Sequence, residues 1–118
     1  MRGARFADRY EKTRLSAAYG EDGTAGVMIH LDGGKGGILM SELEPGVPVL
    51  RITDRYGKDK MQMLLDQDGA ARVVVANPKG TQTVRIHPDA EGDSRITIED
   101  EAGNELFSAP RDQRKIGF

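Results

Sequence analysis

Asp66-Gln67-Asp68-Gly69 and Glu91-Gly92-Asp93 place carboxylate oxygens beside a glycine, as short calcium-binding loops do. An EF-hand loop needs a further acidic position and a terminal bidentate Glu, which neither run supplies, so both read as turns with solvating carboxylates. His30 and His87 fall at different places in the pattern described below and flank inward residues. Both are expected to face outward, with no shared metal site and no His-based catalytic pair. Gly33-Gly34-Lys35-Gly36-Gly37 invites comparison with a phosphate loop, but it lacks the GxxxxGK[ST] spacing and a following helix. It reads as a turn loosened by extra glycine. Lys12, Lys35 and Lys58 form a short basic column beside turns, read as a solvated edge that opposes sheet-to-sheet aggregation rather than an anion stripe. Ser41, Ser94 and Ser108 have no base at a readable spacing. No catalytic residue, cofactor-binding residue or metal ligand is therefore assigned, and the expectation is a protein that is not an enzyme.

Composition narrows the class further. The chain has 118 residues, 17 basic against 19 acidic, and a formal net charge of −2, so no strong global field draws it to nucleic acid or a membrane. It contains no cysteine, which excludes a disulfide framework and thiolate catalysis. No apolar run approaches the roughly 20 residues of a helical membrane span, and Met1-Arg2-Gly3 begins no export signal. Three Tyr, three Phe and no Trp leave few stacking platforms for bases or sugars.

The elements that must position any site follow from an internal repeat. At a step of 23 residues, four columns stay apolar: Ala4, Val27, Leu50, Val73, Ile96; Phe6, Ile29, Ile52, Val75, Ile98; Leu15, Ile38, Met61, Val84, Phe107; and Ala17, Met40, Met63, Ile86, Ala109. All 20 positions are apolar in a chain that is 37% apolar. The expected domain is single, with units 4–26, 27–49, 50–72, 73–95 and 96–118. Columns lie two residues apart with polar residues such as Arg51, Gln62, Arg85 and Thr97 between them, which is strand periodicity.

Turn chemistry punctuates the strands. Asp54-Arg-Tyr-Gly57, Asn77-Pro-Lys-Gly80 and Asp100-Glu-Ala-Gly103 divide each unit into a β-hairpin, with Asx capping the turn and Gly at the left-handed position. Closing the hairpins there pairs Val73 with Val84, Leu50 with Met61 and Ile96 with Phe107. A second turn joins the units at Asp22-Gly23, Pro45-Gly46, Asp68-Gly69 and Glu91-Gly92, and a three-residue loop at Gln67-Asp68-Gly69 sets Met63 against Val73. About ten short antiparallel strands result. Arg9, Tyr10 and Glu11 lack this chemistry, and Phe6 to Ala18 viewed alone resembles a short helix, so the first unit reads as a degenerate cap. Arg111-Asp-Gln-Arg-Lys115 breaks the pattern and is expected to be a frayed or partner-bound tail.

The string Asp-x-x-Gly-Lys, alternating strand, Asp-x-Asp-Gly, alternating strand, clearest from Asp54 to Val75, resembles the tandem β-hairpin repeats of many uncharacterised bacterial and phage-associated proteins. Its punctuation is also similar to that of choline- and cell-wall-binding repeats. Those families build ligand pockets from Trp and Tyr, whereas the matching positions here are Met61, Met63, Val84 and Ile86, so no choline site carries over. The resulting expectation is an all-β elongated repeat shaft, either an oligomeric β-prism or a β-solenoid. Its function is expected to be structural: a homo-oligomer, with a trimer favoured, of the phage-fibre or bacterial-surface kind, meeting a protein or glycan at its ends and placed outside the cell or on a virion. A glycan- or protein-binding module is the alternative, and after it a barrel holding an apolar ligand among Met40, Met63 and Ile86.

Overall fold

The computed structural model describes residues 2–32 and 35–110. Gly33, Gly34 and the 111–115 run lie outside the described residues. Ten strands follow one another: β1 (Arg2–Ala7), β2 (Thr13–Tyr19), β3 (Ala25–His30), β4 (Gly37–Glu44), β5 (Val47–Thr53), β6 (Asp59–Leu65), β7 (Ala71–Ala76), β8 (Gln82–Pro88), β9 (Ser94–Asp100) and β10 (Glu105–Ala109). They form one antiparallel sheet in sequence order, an up-and-down meander, and each strand contacts only its neighbours in the chain. Among the described residues β1 pairs only with β2 and β10 only with β9, so the sheet is open and no barrel closes around a ligand.

The turns hold this order through two devices. Gly23, Gly46, Gly57, Gly69, Gly80, Gly92 and Gly103 all adopt positive φ, between 74° and 87°, where a side chain would be strained. Asp or Asn at the start of the turn accepts backbone N–H groups on its side chain. Asp54 Oδ1 takes those of Tyr56 and Lys58, and Asn77 Oδ1 those of Thr81 and Gln82.

The first turn corrects the expectation of a degenerate unit. Asp8 Oδ1 accepts from Tyr10 and Lys12, and Glu11 takes φ 64° at the position where Gly57 has 85°. The same turn forms without its glycine, at a local cost of about 1–2 kcal/mol for a left-handed non-glycine residue.

Register is corrected too. Val73 pairs with Ile86, Leu50 with Met63 and Ile96 with Ala109, two residues beyond the pairings expected from the turns. At Asn77 the loop is longer by two residues, both on its C-terminal side, since Asn77 N donates to the Gln82 carbonyl rather than to that of Gly80. At Asp54 and Asp100 the turn closes on Lys58 and Asn104, and the ladder then shifts once more beside Thr53 and between Glu105 and Phe107. A slip of two keeps each side chain on its face, whereas a slip of one would reverse it. Between hairpins the expected pairing forms, with Met63 opposite Val73.

Gly36 and Gly37 do more than loosen a turn. A Cβ on Gly36 would lie 1.9 Å from the Asp54 carbonyl oxygen, and one on Gly37 2.0 Å from that of Ile29. Backbone passes too close to either for any side chain.

Candidate interaction surface

All twenty column residues lie on one face of the sheet, in two unbroken rows. One row runs Ala4, Ala17, Val27, Met40, Leu50, Met63, Val73, Ile86, Ile96, Ala109, each directly opposite the next. The other runs from Phe6 through Leu15, Ile29 and their counterparts to Phe107. None of the twenty is buried. Met40 is 53% exposed, Met63 44% and Ile86 40%, which leaves ridges of large apolar side chains in solvent. Between them are hollows: one of about 520 Å³ over Ala4, Ala17 and Val27, bounded by Tyr19 and Met40, and one of about 380 Å³ over Leu50 and Val73, bounded by Met63 and Leu65.

The opposite face is mostly completed from within the chain, although Arg51 Nε and Thr97 Oγ1 are buried there without a hydrogen-bond partner among the described residues. Arg72 Nε sits 3.2 Å from Asp66 Oδ2, Arg85 Nε 3.2 Å from Glu99 Oε2, and Arg51 Nε 3.6 Å from Asp59 Oδ2. Arg14 Nε donates to the His30 carbonyl at 3.0 Å, and Arg95 donates to the Ser108 hydroxyl. The buried side chains among the described residues, Val47, Val49 and Thr97, are here as well, a small core the apolar columns did not signal.

His30 and His87 both point to this second face. Ser16 Oγ lies 3.0 Å from His30 Nε2, while His87 Nδ1 is 2.9 Å from the Pro88 carbonyl oxygen; on β3 and β8 the two rings are not brought together. Ser41 and Ser94 stand on β4 and β9; Ser94 pairs with Pro88 beside His87, and the hydrogen bond of the His87 ring goes to the Pro88 carbonyl.

The acidic runs are occupied by their own turns. Asp66 Oδ1 accepts from Ala70 N at 2.9 Å while Oδ2 faces Arg72, and Asp93 N donates to Asp89. These interactions shift the carboxyl equilibria. A hydrogen bond from Lys58 N lowers the Asp54 pKa, those from the Asn104 side chain and backbone lower that of Asp100, and Thr24 does the same for Asp22. Asp8 is lowered as well: partial desolvation, the largest influence, raises it, but hydrogen bonds from Tyr10 and Lys12 and the nearby Arg14 together outweigh that. For Asp66 the contact with Asp68 leads, followed by Ala70 and Arg72.

One edge carries a feature that the search for catalytic groups missed. Asp8-Arg9-Tyr10-Glu11-Lys12 and Asp54-Arg55-Tyr56-Gly57-Lys58 repeat almost letter for letter on turns of the same edge. Arg9 lies 4.9 Å from the Tyr10 ring centroid and Arg55 5.3 Å from that of Tyr56, with both rings exposed. Lys12 and Lys58 stand on these turns and Lys35 on the one between, and Lys12 reaches Asp32 at 3.9 Å. Among the described residues no helix is long and apolar enough to cross a membrane. Comparison with protein-family models, with curated proteins and with solved structures finds no match for this chain.

Proposed function

We propose that the chain is a non-enzymatic structural protein, five tandem 23-residue β-hairpin units forming a rigid homo-oligomeric shaft or spacer of the kind found in phage fibres and bacterial surface appendages. The carrying observation is the pair of apolar rows that crosses all ten strands and receives no cover from the other described residues. Fully burying a large apolar side chain is worth roughly 1.5–3 kcal/mol, so the rows, which are alanine only at Ala4, Ala17 and Ala109, hold on the order of tens of kcal/mol, of which a lone sheet realises only part. A trimer fits a face only two to three side chains wide, since three such faces around an axis enclose a narrow, filled prism. The mechanism is mechanical: a repeated backbone ladder and a continuous apolar seam resist unfolding. Small-angle scattering tests this reading. It predicts a particle whose length stays near the 64 Å of one chain while its cross-section greatly exceeds the 19 Å thickness of one sheet. A particle 19 Å thin contradicts it.

A binding module is the second reading, favoured by the paired Arg–Tyr turns on one edge. It predicts that Tyr10→Ala with Tyr56→Ala abolishes retention on an immobilised polysaccharide while leaving particle mass unchanged. Retention equal to that of the parent chain, or no retention by either, counts against it.

A further inference from the structure

Resting on the shaft reading, we infer that the apolar face is covered by the same face of further copies of this chain, stacked strand against strand, with Met40, Met63 and Ile86 seated in the partner's hollows. Area makes the first argument. A compact monomer of this mass exposes about 6,300 Å², whereas this chain exposes 8850 Å². Nine strand spacings of about 4.8 Å and two side-chain rows about 7 Å wide each give the apolar rows roughly 43 by 14 Å, or about 600 Å². The flanking Tyr19, Pro48, Leu65 and Ala71 side chains widen this toward the roughly 800 Å² per partner of a stable specific interface.

Periodicity makes the second argument and selects the occupant. Met40, Met63 and Ile86 lie on β4, β6 and β8, so the ridges stand two strands apart, about 9.6 Å, with Leu50 and Val73 in the troughs. A helix from another protein repeats along its axis every 5.4 Å or so and falls out of step within two ridges. A second copy carries the same ridge and trough spacing at every position. The two rows contain no charged residue, so a polyanion or a basic peptide finds nothing there to pair with.

The chain has no cysteine, which permits a direct test. Met63→Cys places a thiol on the apolar face, and Gln62→Cys places one on the opposite face of the same strand. Met40→Cys provides a second apolar-face probe if Met63→Cys lowers the yield of folded protein. Native protein is treated with a short bis-maleimide and the products are resolved under denaturing conditions. Both apolar-face variants are expected to give covalent multimers at least tenfold faster than Gln62→Cys. Preferential cross-linking through Gln62→Cys in a particle that still has multimeric mass overturns this inference and leaves the shaft standing. A monomeric mass with no cross-link from any variant removes both. Protection of the Met63→Cys thiol only when phosphatidylcholine vesicles are added makes lipid the occupant and overturns it as well.

Discussion

The two faces of the sheet differ in how they are satisfied. On one, arginines meet Asp66, Asp59 and Glu99, His30 meets Ser16, and Val47, Val49 and Thr97 are buried, leaving two buried polar atoms, Arg51 Nε and Thr97 Oγ1, without a hydrogen-bond partner among the described residues. On the other, twenty apolar side chains align without a break and none is buried. Strand alternation sorts residues onto the two faces, and local chemistry then completes only the polar one. The unsatisfied face is where association energy resides, while the satisfied face and the turns fix the geometry that presents it.

Substitutions that exploit this contrast rank by size. Ile52→Asp, at the centre of the apolar face and paired with Ile38 and Met61, is expected to abolish assembly or folding, because an unpaired carboxylate in a covered apolar face costs several kcal/mol. Unchanged mass and melting temperature would show that this face is not covered. At the turns the effects are smaller. Gly80→Val forces a β-branched residue to φ 74° and is expected to destabilise by about 2 kcal/mol in denaturant titration, with Lys79→Val within about 0.5 kcal/mol of the parent chain. Equal effects would mean that the turn register is wrong. Glu11→Gly at φ 64° works in the opposite direction, with an expected gain of about 0.5–1 kcal/mol.

Acid probes the turns through their carboxylates. Asp8, Asp22, Asp54, Asp66 and Asp100 have pKa values lowered by folding, so their stabilisation is present above the unfolded value near 3.9 and is lost as pH falls through the lowered folded values. Melting temperature should hold between about pH 5 and 7 and fall below about pH 4. Asn77 already caps a turn, one residue longer, through the uncharged oxygen of its side chain. Asp54→Asn combined with Asp100→Asn should therefore keep neutral-pH stability and flatten the acid limb; an unchanged limb would place the acid sensitivity elsewhere. The smallest effect belongs to the polar face. Arg72→Ala removes a half-exposed ion pair and is expected to cost about 0.5 kcal/mol, while leaving mass untouched.

Much of this contrast was legible in the sequence because strand alternation and turn chemistry are local. The four columns mark one face, and Asp, Asn and Gly mark the turns that the structure forms. The two-residue slip that pairs Val73 with Ile86 was hidden, since the extra loop residues and bulges beside Thr53 and Phe107 leave every side chain on the same face. Glu11 concealed a turn because nothing in a glutamate announces positive φ. Val47 and Val49 escaped because they lie outside the apolar columns, on the face that strand alternation marks as polar, and the need for Gly36 and Gly37 arises from neighbouring backbone carbonyls rather than from their own turn. The Arg9–Tyr10 and Arg55–Tyr56 pairs are legible as a repeated string, but neither residue type at that spacing signals catalysis.

Absolute mass by light scattering behind size exclusion, over a hundredfold dilution, tests the central claim that copies of the chain cover the apolar face. The account predicts a constant mass of about three chains with an elongated hydrodynamic radius, since a seam this apolar should not dissociate on dilution. A persistent mass of 12.9 kDa would contradict it.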